Sequence, residues 1–242
     1  MRTKRLLSIL SVVFLIVSFD YITAVQATAS GFSTQDITAE EENTFLSHIN
    51  LTPVKEAPEK GKIQCFDVNE QGLIAVGQNG FQDKEVCIYT SRGEFLYGYR
   101  FDCNQSFCVE WDEQTLNLYF VRSGILLSVD AHGQVTEVKA VPDTIDNNTH
   151  ENSLLYSTER VVGDVTYIIR NDMGPLNWVA PSYSQILKVG ADGTESIIYD
   201  VNSKQLLDLT VTLGVICIII VVAIVCITRE SIRLKRKKRL KR

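Results

Sequence analysis

Histidine is scarce in this chain of 242 residues, which contains only His48, His132 and His150. No two of them have the spacing of a zinc-binding pair, and Cys103 and Cys108 have no second pair to complete a tetrahedral site. The chain also lacks the G-x-S-x-G and HExxH motifs and a phosphate-binding glycine loop. The sequence therefore predicts no metal, no cofactor and none of the catalytic classes that these motifs mark.

Charge is missing from residues 209–228, which read LTVTLGVICIIIVVAIVCIT. About 20 apolar residues cross the ~30 Å hydrocarbon core of a bilayer as a helix. This stretch therefore predicts a transmembrane helix, with residues 202–208 as a short juxtamembrane segment before it.

Acidic residues are almost absent from the tail that follows, residues 229–242, which holds one acid and nine basic residues. Basic flanks stay in the cytoplasm, so the tail predicts a cytoplasmic C terminus and an extracytoplasmic location for the preceding domain. It is either a topology signal alone or also a contact for anionic lipid, at ~1 kcal/mol per basic side chain. No aromatic residue is interleaved for base stacking, so nucleic acid is not an expected partner. The candidate lipid-contacting residues are Arg229, Arg233, Lys235, Arg236, Lys237, Lys238 and Arg239.

The N terminus has the three regions of a secretory signal peptide. Basic residues precede an apolar run, residues 6–19, and small residues follow at 24–29. Cleavage after residue 27 or residue 29 fits the small-residue rule, and the run is short for a membrane span. Residues 1–29 are therefore predicted to be a signal peptide, with an uncleaved N-terminal anchor as the alternative. In both cases the middle of the chain lies outside the cytoplasm.

The net charge of −5 conceals a segregation of charge along the chain. Residues 30–208 hold 12 Lys and Arg against 27 Asp and Glu, a net charge of −15, whereas the tail carries +8. An acidic surface repels nucleic acid and anionic lipid heads. At ~180 residues, the exported segment is long enough for one domain with its own core.

Four of the six cysteines lie in this exported segment, where disulfides persist. Four cysteines allow three pairings, which the sequence does not rank. Free thiols and one or two disulfides are both open interpretations. The four residues are Cys65, Cys87, Cys103 and Cys108.

Residues 30–62 are polar, and two prolines limit regular structure there. Thr38 and Glu41 have the spacing of a capping box, and the apolar residues that follow favour a short helix that ends near Leu51. Residues 52–62 are predicted to be a linker.

From residue 63 onward, three segments share one pattern of strand, tight turn and strand. They read CIYTSRGEFLYGY, LLSVDAHGQVTEV and ILKVGADGTESII. Each turn ends on a glycine, at Gly93, Gly133 and Gly193. Glycine supplies the positive φ that closes a type I turn with a bulge, so the recurrence has a backbone reason.

Each hairpin follows another predicted strand pair, so the unit is a four-stranded antiparallel meander that occurs three times. Asp67 and Glu110 occupy equivalent places in the first two units. The sequence therefore predicts a mainly β domain over residues 63–201. The three preceding strand pairs are predicted at residues 63–76, 107–121 and 154–169.

A repeat of about 40 residues with four strands is typical of β-propeller blades. The pattern DVNEQGLIAVG, a loop, and then CIYTSRGEFLYGY resembles the blades of NHL-type propellers. The resemblance covers residues 63–201 and implies interaction surfaces on the loops at the blade ends. Some propellers of this kind are enzymes, and none of their catalytic motifs matches here.

Three units fall short of the ~4 to 8 blades of a closed propeller. An open or compact three-unit arrangement is the favoured prediction. The alternatives are a closed arrangement to which residues 30–62 add strands, and half a ring completed by a second copy in a homodimer. The predicted fold class is mainly β, with three four-stranded antiparallel meanders in an incomplete or compact β-propeller-like arrangement, plus one C-terminal transmembrane helix.

The third unit carries an insertion, residues 171–184, which is longer than the matching connections. Long loops are often functional, and Met173, Trp178 and Tyr183 are the candidate binding surface. The competing and favoured interpretation is that Trp178 folds over an exposed sheet edge, because an incomplete ring needs such a cover.

Together these features predict a single-pass membrane protein whose extracytoplasmic domain is a binding or assembly module. The expected partners are membrane lipid and an extracytoplasmic protein or glycan, with a second copy in the paired-ring alternative. The alternative function is an extracytoplasmic hydrolase or lyase that uses carboxylates at the blade ends. Asp67 and Glu110 are the candidates for that chemistry, which requires a raised carboxyl pKa.

Overall fold

The computed structural model describes residues 26–27, 30–80, 83–179 and 182–239, and within these ranges 15 strands form three antiparallel sheets. Residues 1–25 and 28–29, which make up most of the predicted signal peptide, lie outside the described residues. The strands are β1 (Gln26–Ala27), β2 (Ser33–Asp36), β3 (Thr52–Val54), β4 (Ile63–Val68), β5 (Ile74–Asn79), β6 (Lys84–Tyr89), β7 (Phe95–Phe101), β8 (Phe107–Asp112), β9 (Thr115–Phe120), β10 (Ile125–Val129), β11 (Val135–Ala140), β12 (Glu159–Val162), β13 (Val165–Arg170), β14 (Gln185–Val189) and β15 (Glu195–Asp200).

Each sheet is built on one four-stranded meander, which confirms the predicted unit. The first sheet has the order β3-β7-β6-β5-β4, the second β1-β2-β11-β10-β9-β8 and the third β12-β13-β14-β15. Strands β1, β2 and β3 therefore extend the outer edges of the first two sheets. The predicted linker at residues 52–62 thus begins as an edge strand, where Pro53 is tolerated because it has no N–H to donate.

The three hairpin glycines have the backbone conformation that the sequence predicts. Gly93, Gly133 and Gly193 have φ values of 83°, 82° and 77°. The N–H of each donates to the carbonyl three residues earlier, at 2.9 to 3.0 Å. Pairing also shifts register at one point in each of these hairpins. The repeated turn with a bulge is confirmed.

The first helix, α1 (Ala39–Ile49), is fixed by its caps. The Thr38 side chain accepts from the Glu41 N–H at 3.2 Å, and the Glu41 carboxylate accepts from the Thr38 N–H at 2.9 Å. The chain then leaves the helix at Asn50, which has a left-handed conformation with φ 46°. The predicted capping box and the predicted end of the helix are both confirmed.

The second helix, α2 (Ile145–Tyr156), corrects the predicted start of the third unit. Residues 154–156 are helical, and the first strand of that unit begins at Glu159. Thr144 caps the helix by accepting from the Asn147 N–H at 3.2 Å. The amide of Asn147 in turn bonds the backbone of Ser33 in both directions, at 2.8 and 2.9 Å. Ser33 and Asn147 are 114 residues apart in the sequence, so a long-range contact stabilises this helix.

Two hydrophobic clusters cover the two faces of the first sheet. On β6, Val86 and Ile88 pack in the cluster shared with the second sheet, whereas Cys87 and Tyr89 pack in the cluster shared with the third. Alternate residues of a strand point to opposite faces, so a strand buried on both faces reads as a continuous apolar run. The first sheet therefore lies between the other two.

The first strands of the three units meet at the centre of this arrangement. β4 packs against β8 along most of its length and also touches β12. Gly77 on β5 permits the close approach, because a β-carbon there would lie 3.0 Å from the Phe107 ring and closer still to the Cys65 sulfur. Within the described residues the structure shows three packed sheets and no closed barrel or propeller.

The last helix, α3 (Asn202–Arg239), starts directly after the third sheet. Its part from Asn202 to Glu230 has a mean hydropathy of 3.2 in its most apolar window, and none of that window is buried in the protein. The helix is thus long and apolar enough to cross a membrane. The predicted juxtamembrane segment, residues 202–208, belongs to the same continuous helix.

All six cysteines are free thiols, so the structure contains none of the disulfides left open by the sequence. Cys65, Cys87 and Cys108 are buried, and Cys103 is half-buried. Burial raises the pKa of Cys65 and of Cys87 to about 12. These three residues act as small apolar side chains of the core.

Candidate functional site

A charged cluster forms where the first strands of the three units meet. Asp67 comes from β4, Glu110 from β8 and Arg160 from β12. Glu110 pairs in register with Asn117, and Arg160 pairs with Tyr167, so the two occupy the same position relative to their hairpin turns. The repeated unit therefore brings one charged residue from each sheet to one place.

Asp67 is fully engaged by its neighbours. Its Oδ1 accepts from Nε of Arg160 at 2.8 Å, and its Oδ2 accepts from the backbone N–H of Trp111 at 2.7 Å. Burial raises the pKa of Asp67 above its usual value, although the Trp111 N–H and Arg160 both favour the charged form. The Arg160 guanidinium also lies over the Phe66 ring, 5.1 Å from its centre. These contacts tie the third sheet to the first two.

Glu110 forms a second pair with His150, which comes from α2. Nε2 of His150 lies 2.9 Å from Oε1 of Glu110. The hydrogen bond to Glu110 raises the pKa of His150, and a hydrogen bond to the Ser30 backbone adds to this. Burial raises the pKa of Glu110, and His150 opposes that change. The pair therefore favours a charged imidazole, whereas burial and the contact with His150 act on the Glu110 carboxyl in opposite directions.

The segment that precedes β2 holds the His150 ring from the other side. Phe32 is buried and packs edge-on against the ring, with 4.5 Å between the ring centres. Gly31 has φ 78°, and a β-carbon at this position would come within 2.6 Å of the ring. Only glycine lets the chain pass so close, so this segment fixes the position of His150.

Two polar atoms of the cluster are buried without a hydrogen-bond partner. They are Oε2 of Glu110 and Nε1 of Trp111. An unpaired buried polar atom costs about 1–3 kcal/mol, and such atoms are rare enough to need an explanation. Both residues border an open cavity of about 600 Å³. The other residues around it are Asp67, Asn152, Ser153, Leu154, Tyr156, Ser157 and Arg160.

The structure separates the three residues of the predicted aromatic surface. Met173 is 6% exposed, Tyr183 is half-buried and pairs with Ile63, and Trp178 is 85% exposed. Met173 is buried, whereas the 3₁₀ helix Gly174–Val179 carries Trp178 outward, so the three side chains are not brought together and their role in binding stays a prediction. The exposure of Trp178 contradicts its interpretation as an edge cover, because a covering side chain would be buried.

The basic tail continues α3 as a helix to Arg239. The side chains of Arg229 and Arg233 are exposed. The backbone from Lys235 to Arg239 belongs to the same helix, and the contact of these residues with lipid remains a prediction.

Reasoning from the sequence identified Asp67 and Glu110 but missed Arg160 and His150. Arg160 was missed because the third strand pair was predicted to begin at residue 154. That start shifts the unit by several residues, so Arg160 did not align with Glu110. His150 carried no signal at all, since its role depends on α2 packing against β8. In the ranges that the structure covers, no group of three or more His, Cys, Asp or Glu side chains is placed to hold a metal ion.

The comparisons with known proteins add no relative. No family model, no curated protein and no solved structure matches this chain.

Proposed function

We propose that this protein is a single-pass membrane protein whose β domain is an extracytoplasmic binding module, with the cavity beside the charged cluster as its binding site. The side of the membrane follows from the basic tail, since such flanks stay in the cytoplasm. The observation that carries the proposal is the meeting of Asp67, Glu110 and Arg160, one from each sheet, next to that cavity.

The orientation of the strands supports a site directed away from the membrane. Lys62, which precedes β4, forms an ion pair with Asp208 of α3 at 3.9 Å, so β4 begins near the membrane helix. Asp67 lies four residues further along β4, about 13 Å away at the usual rise of a strand. β8 runs in the same direction, because Phe107 near its start lies with Cys65 beside Gly77, whereas Trp111 near its end bonds Asp67. The charged cluster thus lies toward the outer ends of these strands.

The chemistry of the cluster defines the ligand group. Asp67 has both oxygens engaged, so Glu110 supplies the remaining acceptor and Trp111 the remaining donor. A hydroxyl group both donates and accepts, and an amine or amide N–H can donate to Glu110. Tyr156, which is 76% exposed at the rim, offers an aromatic face. A glycan or a protein segment that inserts such a group fits this site, after a small side-chain movement that opens the buried atoms.

The second candidate function is an extracytoplasmic hydrolase or lyase. Burial favours it by raising the pKa of Glu110, which is the direction that a general acid requires, although His150 opposes this change. Paired-carboxylate chemistry needs a second carboxylate that faces the substrate. Asp67 is committed to Arg160 and to the Trp111 N–H, and this favours binding over catalysis.

A binding experiment tests the proposal. The full chain in lipid nanodiscs is applied to a glycan array. In a second assay the full chain is crosslinked to its neighbours in membranes, and both assays use Glu110→Gln as the test variant. Glu113→Gln is the matched control, because Glu113 is an exposed residue in the turn of the same hairpin. We expect capture by the wild type and by the control, and a loss of about tenfold or more in Glu110→Gln, as for a hydrogen bond to a charged group.

Three results separate the alternatives. Equal capture by all three proteins would remove the cavity as the binding site. Absence of specific capture by the wild type would overturn the binding module. Turnover of a captured oligosaccharide, lost in Glu110→Gln, would favour the hydrolase. Protease protection in sealed vesicles checks the orientation, since only the tail should be cut from the cytoplasmic side.

A further inference from the structure

The insertion in the third sheet presents its tryptophan outward. The 3₁₀ helix Gly174–Val179 carries Trp178, which is 85% exposed. Its start is braced, because the N–H of Met173 donates to the Asn177 side chain at 2.8 Å and Met173 itself is buried. The segment therefore holds a large aromatic side chain at a defined place on the surface of the domain.

Both ends of this insertion are bonded to the first turn of α3. Nδ2 of Asn202 donates to the Asp172 carbonyl at 2.6 Å, and Nε2 of Gln205 donates to the Ser182 carbonyl at 2.8 Å. Gln205 is 1% exposed, so this contact is enclosed by the domain. The insertion therefore has a fixed height along the axis of the membrane helix.

The end of the insertion at Ser182 lies at the level of the lipid headgroups. The uncharged stretch begins at Leu209, four residues after Gln205, which is about 6 Å along a helix. The headgroup region on each side of the hydrocarbon core is about 5–8 Å thick. The segment that bonds Gln205 therefore lies within this region when α3 crosses the bilayer.

The composition of the insertion matches this location. Asp172 is the one charged residue of the insertion, and residues 173–187 hold none, although the exported part of the chain carries a net charge of −15. Tryptophan is enriched at the interface between lipid and water, where its ring is apolar and its N–H remains hydrated. An uncharged patch with an outward tryptophan is compatible with zwitterionic lipid, whereas the acidic remainder of the domain is not attracted to anionic lipid.

We infer that the 3₁₀ helix Gly174–Val179 is a membrane-interface anchor, with Trp178 inserted among the headgroups of the leaflet on which the β domain lies. The occupant of this surface is lipid, not a second copy or a partner protein. The anchor and the bonded first turn of α3 hold the domain at two points and fix its tilt on the membrane. The charged cluster is then presented to the outside at a constant orientation.

Tryptophan fluorescence in phosphatidylcholine nanodiscs tests the inference. The chain has two tryptophans, so the emission of Trp178 is the difference between the full-length wild type and Trp178→Phe. We expect this difference spectrum to be shifted to the blue, because the indole of an interfacial tryptophan is partly removed from water. Its intensity should fall when the lipid is brominated near the headgroup, because bromine quenches fluorescence at contact. Thermal unfolding of Trp178→Phe should match the wild type, since the residue makes few contacts within the domain.

A matched control places a tryptophan at the opposite end of the same sheet. β14 runs from the insertion to the turn at residues 190–194, so its last residue, Val189, lies about 13 Å from Gln185 at the usual strand rise, and Ala191 lies in the turn beyond it. Ala191→Trp in the Trp178→Phe background should give an emission that brominated lipid does not quench. Equal quenching at both positions would indicate nonspecific contact with lipid and would overturn the inference.

Two further outcomes would also overturn it. An unquenched Trp178 with the emission of a hydrated indole would place the segment in water. An unquenched but blue-shifted emission that depends on the ratio of protein to lipid would assign the surface to a second copy. A chain that does not enter the nanodisc at all would contradict the proposed membrane anchoring instead, so the two failures are distinguishable.

Discussion

Arg160 and Asp67 come from the first strands of two different sheets, and their ion pair at 2.8 Å joins the third unit to the first. The two side chains are 14% and 12% exposed. Removal of one partner from a buried ion pair leaves an uncompensated charge, which costs more than the pair contributes. This contact is therefore a specific point at which the three units depend on one another.

The first prediction concerns the stability of that contact. We expect Arg160→Met to lower the free energy of unfolding by about 2–4 kcal/mol at neutral pH, because Asp67 remains buried and charged. The loss should shrink in acid, where Asp67 takes up a proton. Asp67→Asn combined with Arg160→Met should regain part of the loss. Urea unfolding of the full chain in detergent measures all three.

Arg170→Met is the matched control for this prediction. Arg170 pairs with Glu195 at 3.8 Å, and both side chains are largely exposed. An exposed ion pair contributes about 0–1 kcal/mol. A cost for Arg160→Met as small as that of Arg170→Met would contradict the role given to the buried pair.

The second prediction follows from His150. Its pKa is raised above 6.5 in the folded protein, chiefly by Glu110, so the folded state binds the proton more tightly than the unfolded state. The stabilisation is fully present below pH 6.5 and is lost as the pH rises through the folded pKa of His150. We expect the melting temperature to fall over this window in the wild type and to change less in His150→Gln.

His132→Gln is the matched control for the pH experiment. His132 is exposed in the turn of the hairpin formed by β10 and β11. Within the part of the chain that the structure describes, it forms no ion pair. It should keep the wild-type dependence on pH. The same slope in the wild type and in His150→Gln would show that the pair with Glu110 does not stabilise the fold.

The third prediction concerns the space at Gly77. We expect Gly77→Ala to lower the free energy of unfolding by about 1–3 kcal/mol, because the added methyl group overlaps the Cys65 sulfur and the Phe107 ring. Cys65→Ala removes the nearer of these atoms. Chemical unfolding should therefore show that the double variant loses less free energy of unfolding than the sum of the losses of the two single variants. Additive losses would mean that β4 and β8 separate to accommodate the methyl group.

The fourth prediction concerns the thiols. Cys103 is the half-buried cysteine of the domain, whereas burial raises the pKa of Cys65 and Cys87 to about 12. Since the thiolate is the reactive form, maleimide at neutral pH should label Cys103 first and the buried thiols only in denaturant. Peptide mapping by mass spectrometry identifies the labelled positions, with Cys103→Ser as the control. A disulfide among the four domain cysteines would contradict the structure.

Much of the fold could be predicted from local patterns. The three hairpin glycines and the capping box at Thr38 and Glu41 depend on residues within a few positions of each other, so their sequence spacing is sufficient. The apolar stretch at residues 209–228 needs no partner in the domain, because the bilayer length alone defines it. The structure confirms the turns, the capping box and the apolar helix, whereas the side of the membrane on which the β domain lies stays a prediction.

Other parts could not be predicted because distant residues determine them. The helix α2 contains asparagines that are weak helix formers, and it is held through Asn147 and Ser33, 114 residues apart. Trp178 is exposed on an insertion whose ends bond to Asn202 and Gln205, and no local pattern encodes those contacts. Reasoning from the sequence alone therefore started the third unit too early and favoured a buried location for this side chain, with the exposed one as the alternative.

By itself, the sequence determined the elements: an apolar helix with a basic end, an acidic domain, and a four-stranded unit that occurs three times. Each of these rests on composition or on a spacing of a few residues, over which backbone geometry is predictable. Only the tertiary structure decided that Asp67, Glu110 and Arg160 meet, that His150 joins them, and that Trp178 lies outward on a segment whose ends bond to the start of α3. Those relations arise when separate sheets pack and bury charges together, and the free energy of such contacts depends on residues that are far apart in the chain.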